Sequence, residues 1–275
     1  MRAHLVTDAG GFLRYLEIPG DEPPILWLHG LLCASTAELA PVAVQPPLAS
    51  RRSLLIDFLG YGFSDRPLQF GYSLEDHART VVSLLDELQV ASCCLVGHSM
   101  GGAVAALVAA QRTPAVDALI MADANLEPHE GAGSVSNSIA GQPYEQFAAS
   151  GLPGLISRQE QAARQDPGGL TAAHLGMVRI LSPHGVHRSA QSLARGTDPT
   201  VRTLLKGLRM PRFYLYSEFG TLSEAELEAK KDLQASGVEY VMVPETGHQM
   251  GLQNPKGFAL KIAEAIGQTA TPRPP

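Results

Sequence analysis

One serine, one histidine and a few carboxylates carry the residue types that could act together as a nucleophilic site. Ser99 stands in Gly97-His98-Ser99-Met100-Gly101-Gly102, between the apolar run 93–96 and the alanine-rich run 103–110. A strand that turns abruptly into a helix holds its turning residue in a strained conformation and needs small neighbours on both sides; G-x-S-x-G in that context is a nucleophile elbow. The turn lifts the hydroxyl clear of the sheet, and the helix N-terminus beneath it favours developing negative charge. A serine hydroxyl attacks only when a base takes its proton. Thr246-Gly247-His248-Gln249, between the last strand-like and the last helix-like run, supplies His248 for that task. The chemistry such a pair performs is acyl transfer.

The other histidines fit other places. His29 and His98 lie inside turn motifs, His4 and His77 on regular elements, and His129, His174, His184 and His187 in a middle segment. His184-x-x-His187 has no Cys, Asp or Glu cluster beside it, so no metal site is expected. No cofactor-binding motif appears, and none is assigned.

The elements that must position these residues follow from the apolar periodicity. Residues 25–30, 52–60, 92–99, 116–124, 212–220 and 238–245 read as buried strands. Residues 73–90, 101–113, 223–236 and 255–266 read as helices, the first with a capping box from Ser73 and Asp76. Residues 4–20 read as a hairpin turning at Gly10-Gly11. Strand alternating with helix predicts an α/β fold, a mostly parallel doubly wound sheet covered on both faces. The rhythm breaks over 126–206, where short helix-like pieces are divided by Pro143, Pro153, Pro167, Pro183 and Pro199. The expected organisation is a core of 1–125 and 207–268, an inserted helical cap of 126–206, and a flexible tail of 269–275.

Bulk properties exclude several classes. At 45% hydrophobic and 17% charged residues the chain can bury a core and is not disordered. A net charge of −6 provides no basic face for nucleic acid and no polybasic membrane anchor. The start, MRAHLVTDAGG, lacks a signal-peptide apolar run, and no stretch reaches about 18 uninterrupted apolar residues, so a cytoplasmic location is expected. Three cysteines cannot form a disulfide framework; Cys93 and Cys94 are expected buried and reduced. The expected partner is a small-molecule substrate, and a homodimer through the cap helices is left open.

Four motifs in order, Leu28-His29-Gly30, the loop from Asp57 to Asp65, Gly97 to Gly102, and Gly247-His248, resemble the α/β-hydrolase superfamily over essentially the whole chain. The resemblance implies an oxyanion hole from the backbone N–H groups of Leu31 and Met100, and it makes Asp57 a turn-former. Cys33, two residues past Leu31, would either touch the pocket or fill space beside it, and the second reading is preferred. The acid that orients His248 is less clear. In many members it follows the strand before the penultimate helix, but Gly220 falls at that point, with Glu218 two residues early. A second location in the superfamily follows the sixth strand, and there Asp123 lies 24 residues after Ser99. Asp123 is preferred over Glu218, and Glu127 is a third candidate.

Ser99 in place of an elbow aspartate sets the chain apart from the dehalogenases and epoxide hydrolases of this superfamily. The expected reaction is hydrolysis of a carboxylic ester or lactone. The alternatives are a carbon–carbon bond hydrolase, with Arg179, Arg188 or Arg195 holding a dienolate, a thioesterase, a perhydrolase, or a non-catalytic binding protein. In the cap, seven basic residues (Arg158, Arg164, Arg179, Arg188, Arg195, Arg202, Lys206) nearly balance six acidic ones (Glu127, Glu130, Glu145, Glu160, Asp166, Asp198). That balance favours no ionic substrate, so a small to medium, mainly apolar one is expected.

Overall fold

The short apolar runs form eight strands, seen in a computed structural model that describes residues 1–128, 134–165, 167, 169–220 and 223–269. His129, Glu130 and Asp166 of the expected cap, and residues 270–275 of the expected tail, lie outside the described residues. The strands are β1 (Arg2–Val6), β2 (Gly11–Ile18), β3 (Asp21–Leu28), β4 (Arg51–Asp57), β5 (Cys93–His98), β6 (Val116–Ala122), β7 (Arg212–Ser217) and β8 (Val238–Val243). They make one sheet in the order β1-β2-β4-β3-β5-β6-β7-β8. β1 and β2 pair antiparallel, β2 pairs antiparallel with β4, and every pairing from β4 to β8 is parallel.

Alternation along each strand builds two cores. Leu26, Leu28, Leu54, Ile56, Leu95 and Met121 face one side; Ile25, Trp27, Leu55, Val96, Ile120 and Leu215 face the other. The same alternation sends Cys93 and Cys94 to opposite faces, and all three cysteines are buried and free. The first face is covered by α3 (Leu74–Glu87) and α4 (Met100–Gln111), the second by the short α1 (Ser35–Glu38) and α2 (Ala40–Ala43), with α12 (Met250–Gln253) and α13 (Pro255–Thr269) from the end of the chain. The capping box at α3 forms as its sequence predicts: Ser73 Oγ accepts from Asp76 N at 3.1 Å, and Asp76 Oδ2 accepts from Ser73 N at 3.0 Å. α11 (Glu224–Ala235) packs on β8.

Between β6 and β7 most of the described residues are helical. α5 (Val135–Ala140) is followed by α6 (Tyr144–Gln146), which continues through a π turn into α7 (Leu152–Gln165), then α8 (Leu170–Val178), α9 (Pro183–Arg195) and α10 (Val201–Gly207). α9 packs on α5 and on α3; α8 packs on α7, α1 and α12; α10 packs on α4 and α11. Among the described residues, no helix is long and apolar enough to cross a membrane.

Several boundaries differ from the sequence reading: the third strand begins earlier, at Asp21, and the strands read as 52–60 and 212–220 end at Asp57 and Ser217. The sixth strand ends at Ala122, because Asp123 has φ +39° and leaves the sheet. The last helix runs on to Thr269, since nothing after Ile266 breaks it before that point.

β3 has β4 on one side and β5 on the other, so the chain reverses its direction of travel across the sheet there. The carboxyl ends of β3 and β5 therefore flank a topological switch point, the crevice where open parallel sheets place their ligands.

Candidate active site

Ser99 ends β5 with φ 52° and ψ −119°, a conformation that non-glycine residues rarely adopt. Its neighbours explain how the chain tolerates it. A Cβ on Gly97 would strike the backbone of Gly101, and one on Gly101 would strike the carbonyl oxygens of Leu28 and His29. The turn is thus pressed against the end of β3, which fixes Ser99 beside the loop that follows Gly30. Ser99 N also donates to Ala122 O at 2.8 Å, tying the turn to β6.

His248 lies between β8 and α12, and its Nε2 is 3.2 Å from Ser99 Oγ. Its Nδ1 is 3.6 Å from Asp123 Oδ2, within ion-pair range and longer than a hydrogen bond. Asp123 is held from behind: Ser217 Oγ donates to Oδ2 at 2.8 Å, and Ser217 N donates to Oδ1 at 3.3 Å. Ser99, His248 and Asp123 therefore converge. Glu218 and Glu127 do not join them. Glu218 is exposed and accepts the backbone N–H of Glu245 at 2.7 Å, and the exposed Glu127 lies 3.9 Å from Arg202.

Leu31 lines the cavity above Ser99, and Met100 opens α4, so the Met100 N–H has no partner within its helix. Asp57 is engaged structurally: Oδ1 accepts from Thr36 N at 3.1 Å, and Oδ2 accepts from Thr36 Oγ1 at 2.8 Å and Phe63 N at 3.0 Å. Cys33 is buried among Ala34 and Met177; burial and the neighbouring Glu38 carboxylate push its thiol well above the ordinary range, which makes it a poor nucleophile. His29 is buried, accepts from Phe58 N at 3.1 Å and donates to Gly30 O at 2.8 Å; burial pushes its pKa down.

The cavity over Ser99 has a volume of about 540 Å³. Leu31, Leu32 and Leu193 supply apolar wall, and Tyr214, Tyr216 and Phe219 an aromatic one. The helical insert adds Val135, Ser136 and His174. Asp123 and Glu226 bring the carboxylates, and the described wall holds no lysine or arginine. Among the described residues, no group of three or more His, Cys, Asp or Glu is placed to hold a metal ion. His184 instead packs against the rings of Tyr72 and Tyr144, and His187 Nε2 bonds Gln142 O at 2.7 Å. Sequence reasoning missed Ser217, Gln249 and the tyrosines of β7; only the position of Ser217 at a parallel strand's carboxyl end could have pointed to it.

The family described as the alpha/beta hydrolase fold matches residues 23–248. The dihydrolipoyllysine-residue acetyltransferase component of the acetoin cleaving system of Pseudomonas putida is 31% identical over 255 residues, 89% of this chain. The chain spans 64% of that relative's length. Among solved structures, a thermophilic esterase from Thermogutta terrifontis superposes with a TM-score of 0.78 at 20% identity, covering 98% of this chain and 100% of the other. An enol-lactonase from Burkholderia xenovorans LB400 superposes with a TM-score of 0.78 at 18% identity, covering 97% of this chain and 100% of the other.

Proposed function

The chain belongs to the family described as the alpha/beta hydrolase fold, and from that premise we propose that it is a hydrolase that cleaves a carboxylic ester or lactone of small to medium, mainly apolar character through an acyl-serine intermediate. The observation that carries this reading is the 3.2 Å approach of His248 Nε2 to Ser99 Oγ at the floor of the cavity. Ser99 Oγ attacks the acyl carbon while His248 Nε2 takes its proton. The oxyanion is received by the N–H groups of Leu31 and Met100, an arrangement worth several kcal/mol of barrier in such sites. His248 then protonates the leaving oxygen, which for a lactone stays on the same molecule, and afterwards deprotonates water for deacylation. Asp123 holds the His248 ring in the tautomer that leaves Nε2 free to accept. The expected cap of 126–206 roofs the cavity through Val135, Ser136, His174 and Leu193 and sets its shape.

The wall chemistry selects among substrates. Its charged members, Asp123 and Glu226, are both acidic, which disfavours a substrate carrying its own carboxylate. The three arginines that could have held a dienolate are engaged elsewhere. Arg179 pairs with Glu160 at 2.6 Å, Arg188 donates to Phe70 O at 3.3 Å, and Arg195 lies 3.5 Å from Ser192 Oγ. Ester or lactone cleavage is therefore favoured over carbon–carbon bond cleavage. The esterase and the enol-lactonase that share the fold carry the favoured activities in their names.

The test is a fluorophosphonate probe together with a panel of p-nitrophenyl esters, lactones and a dienone. Wild type should be labelled and should hydrolyse esters or lactones, while Ser99→Ala should lose labelling and at least about a thousandfold of turnover. Turnover of the dienone alone would replace this reading with carbon–carbon hydrolysis. Absence of labelling and turnover would leave a binding protein.

A further inference from the structure

Beneath the site lies a buried acidic side chain that the reaction does not use. Glu38, the last residue of α1, is fully buried. Its Oε2 accepts the backbone N–H of Gly30 at 3.4 Å, on the loop that carries Leu31. Its Oε1 forms an ion pair with Nδ1 of His98, itself 1% exposed. The other ring nitrogen, His98 Nε2, donates to the backbone carbonyl of His248 at 2.7 Å. One carboxylate and one imidazole thus span the loop after β3, the turn after β5 and the loop after β8.

We propose that Glu38 and His98 are positioning residues that hold the oxyanion loop, the nucleophile turn and the base loop in one register, a role that rests on the serine-hydrolase reading. The geometry specifies the protonation. His98 faces a carboxylate on one side and a carbonyl on the other, both acceptors, so its ring carries both protons. Burial alone would depress His98, but Glu38, with a further contribution from Asp123, raises it. Burial alone would raise Glu38, but His98 holds it below the usual carboxylate range.

A buried ion pair is a costly way to fill space, since apolar residues of like volume often serve stability equally well. What it provides here is direction. The His248 side chain is 55% exposed, so the cavity wall does little to fix it; the bond from His98 to its backbone carbonyl fixes the chain at that residue instead. The two imidazole rings also lie against each other, with centroids 4.8 Å apart.

Two variants separate positioning from packing. In Glu38→Gln the carboxamide oxygen accepts from Gly30 N and its N–H donates to an unprotonated Nδ1, so a neutral His98 still holds the His248 carbonyl. The double variant Glu38→Leu/His98→Leu removes the buried charges and that bond together. Ester turnover and fluorophosphonate labelling rate are measured for each, and kcat is expressed per reactive serine so that unfolded protein does not count. The expected result is a loss of no more than about fivefold for Glu38→Gln, and of about 10- to 100-fold in kcat for the double variant with KM changed less than about threefold. Should the double variant not fold, Glu38→Gln/His98→Leu, which keeps the Gly30 contact, reads the same quantity. Equal kcat per reactive serine in the Gln and Leu variants would overturn the proposal and leave the pair as packing. Failure of wild-type Ser99 to react would instead overturn the hydrolase reading, so the two failures are distinguishable.

Discussion

Asp123 and Glu218 stand just past neighbouring parallel strands, and the sequence alone offers either as the partner of His248. What separates them is the direction each side chain takes. Asp123 turns toward His248 with its oxygens steadied by the hydroxyl and N–H of Ser217, whereas Glu218 turns away to the backbone of Glu245. A carboxylate that orients an imidazole cannot be replaced by a carboxamide without favouring the wrong tautomer. Asp123→Asn should therefore lower kcat by about a thousandfold or more on the best ester. Glu218→Gln keeps an oxygen acceptor for Glu245 and should stay within about threefold of wild type. Steady-state kinetics on both variants check this, and the reverse ranking would move the acid to Glu218.

At the scale of elements, the β5–α4 turn is the feature on which the site depends most. Gly97 and Gly101 are set by close approach of backbone to backbone: Gly101 lies against the end of β3, and no side chain there can yield. Gly101→Ala should cost about 2 kcal/mol or more by overpacking and should abolish turnover by displacing Ser99. Gly176, inside α8, has nothing within 4 Å of the place a methyl group would take, and it is the matched control; Gly176→Ala should stabilise by up to about 1 kcal/mol. Urea midpoints for the two variants should move in opposite directions. The same turn explains why much of the fold could be read from the sequence. Periodicity that switches between strand and helix, and glycines that permit only one kind of corner, are local signals, so the sheet, the elbow and the late loop of His248 were legible. The contacts of Glu38 were not, because Ala37-Glu38-Leu39 carries no pattern and its partners are 8 and 60 residues away. The acid stayed ambiguous for a related reason: composition marks a strand end but not the backbone twist, φ +39° at Asp123, that aims the side chain.

Across the whole molecule, the helical insert is fastened to the core by buried polar bonds as well as apolar packing. Ser182 N donates to Gly60 O at 2.9 Å, Leu74 N donates to Ser192 Oγ at 3.1 Å, and His77 on α3 meets Ser189 on α9 at 3.0 Å. Ser189 Oγ spends its proton on Tyr72 O, so His77 is the donor in that pair, through Nε2. Its ring lies among Phe58, Tyr61, Phe70 and Tyr72, and burial drives its pKa down to about 3. The consequence for stability has a definite sign. The unfolded chain takes up this proton near the ordinary value of about 6.5, well before the folded chain does, so the contribution is complete above that pH and is lost as pH falls toward about 3. Each unit of pH within that window removes about 1.4 kcal/mol, or about 2 kcal/mol between pH 7 and pH 5. His77→Phe keeps a ring in the aromatic cluster and removes the titrating group. Urea unfolding at pH 7 and pH 5 should then show a difference in stability smaller than wild type's by about that 2 kcal/mol, even if the variant is weaker at pH 7 through loss of the Ser189 bond. Equal differences for the two proteins would mean that the acid sensitivity of the core–insert junction lies elsewhere than in His77.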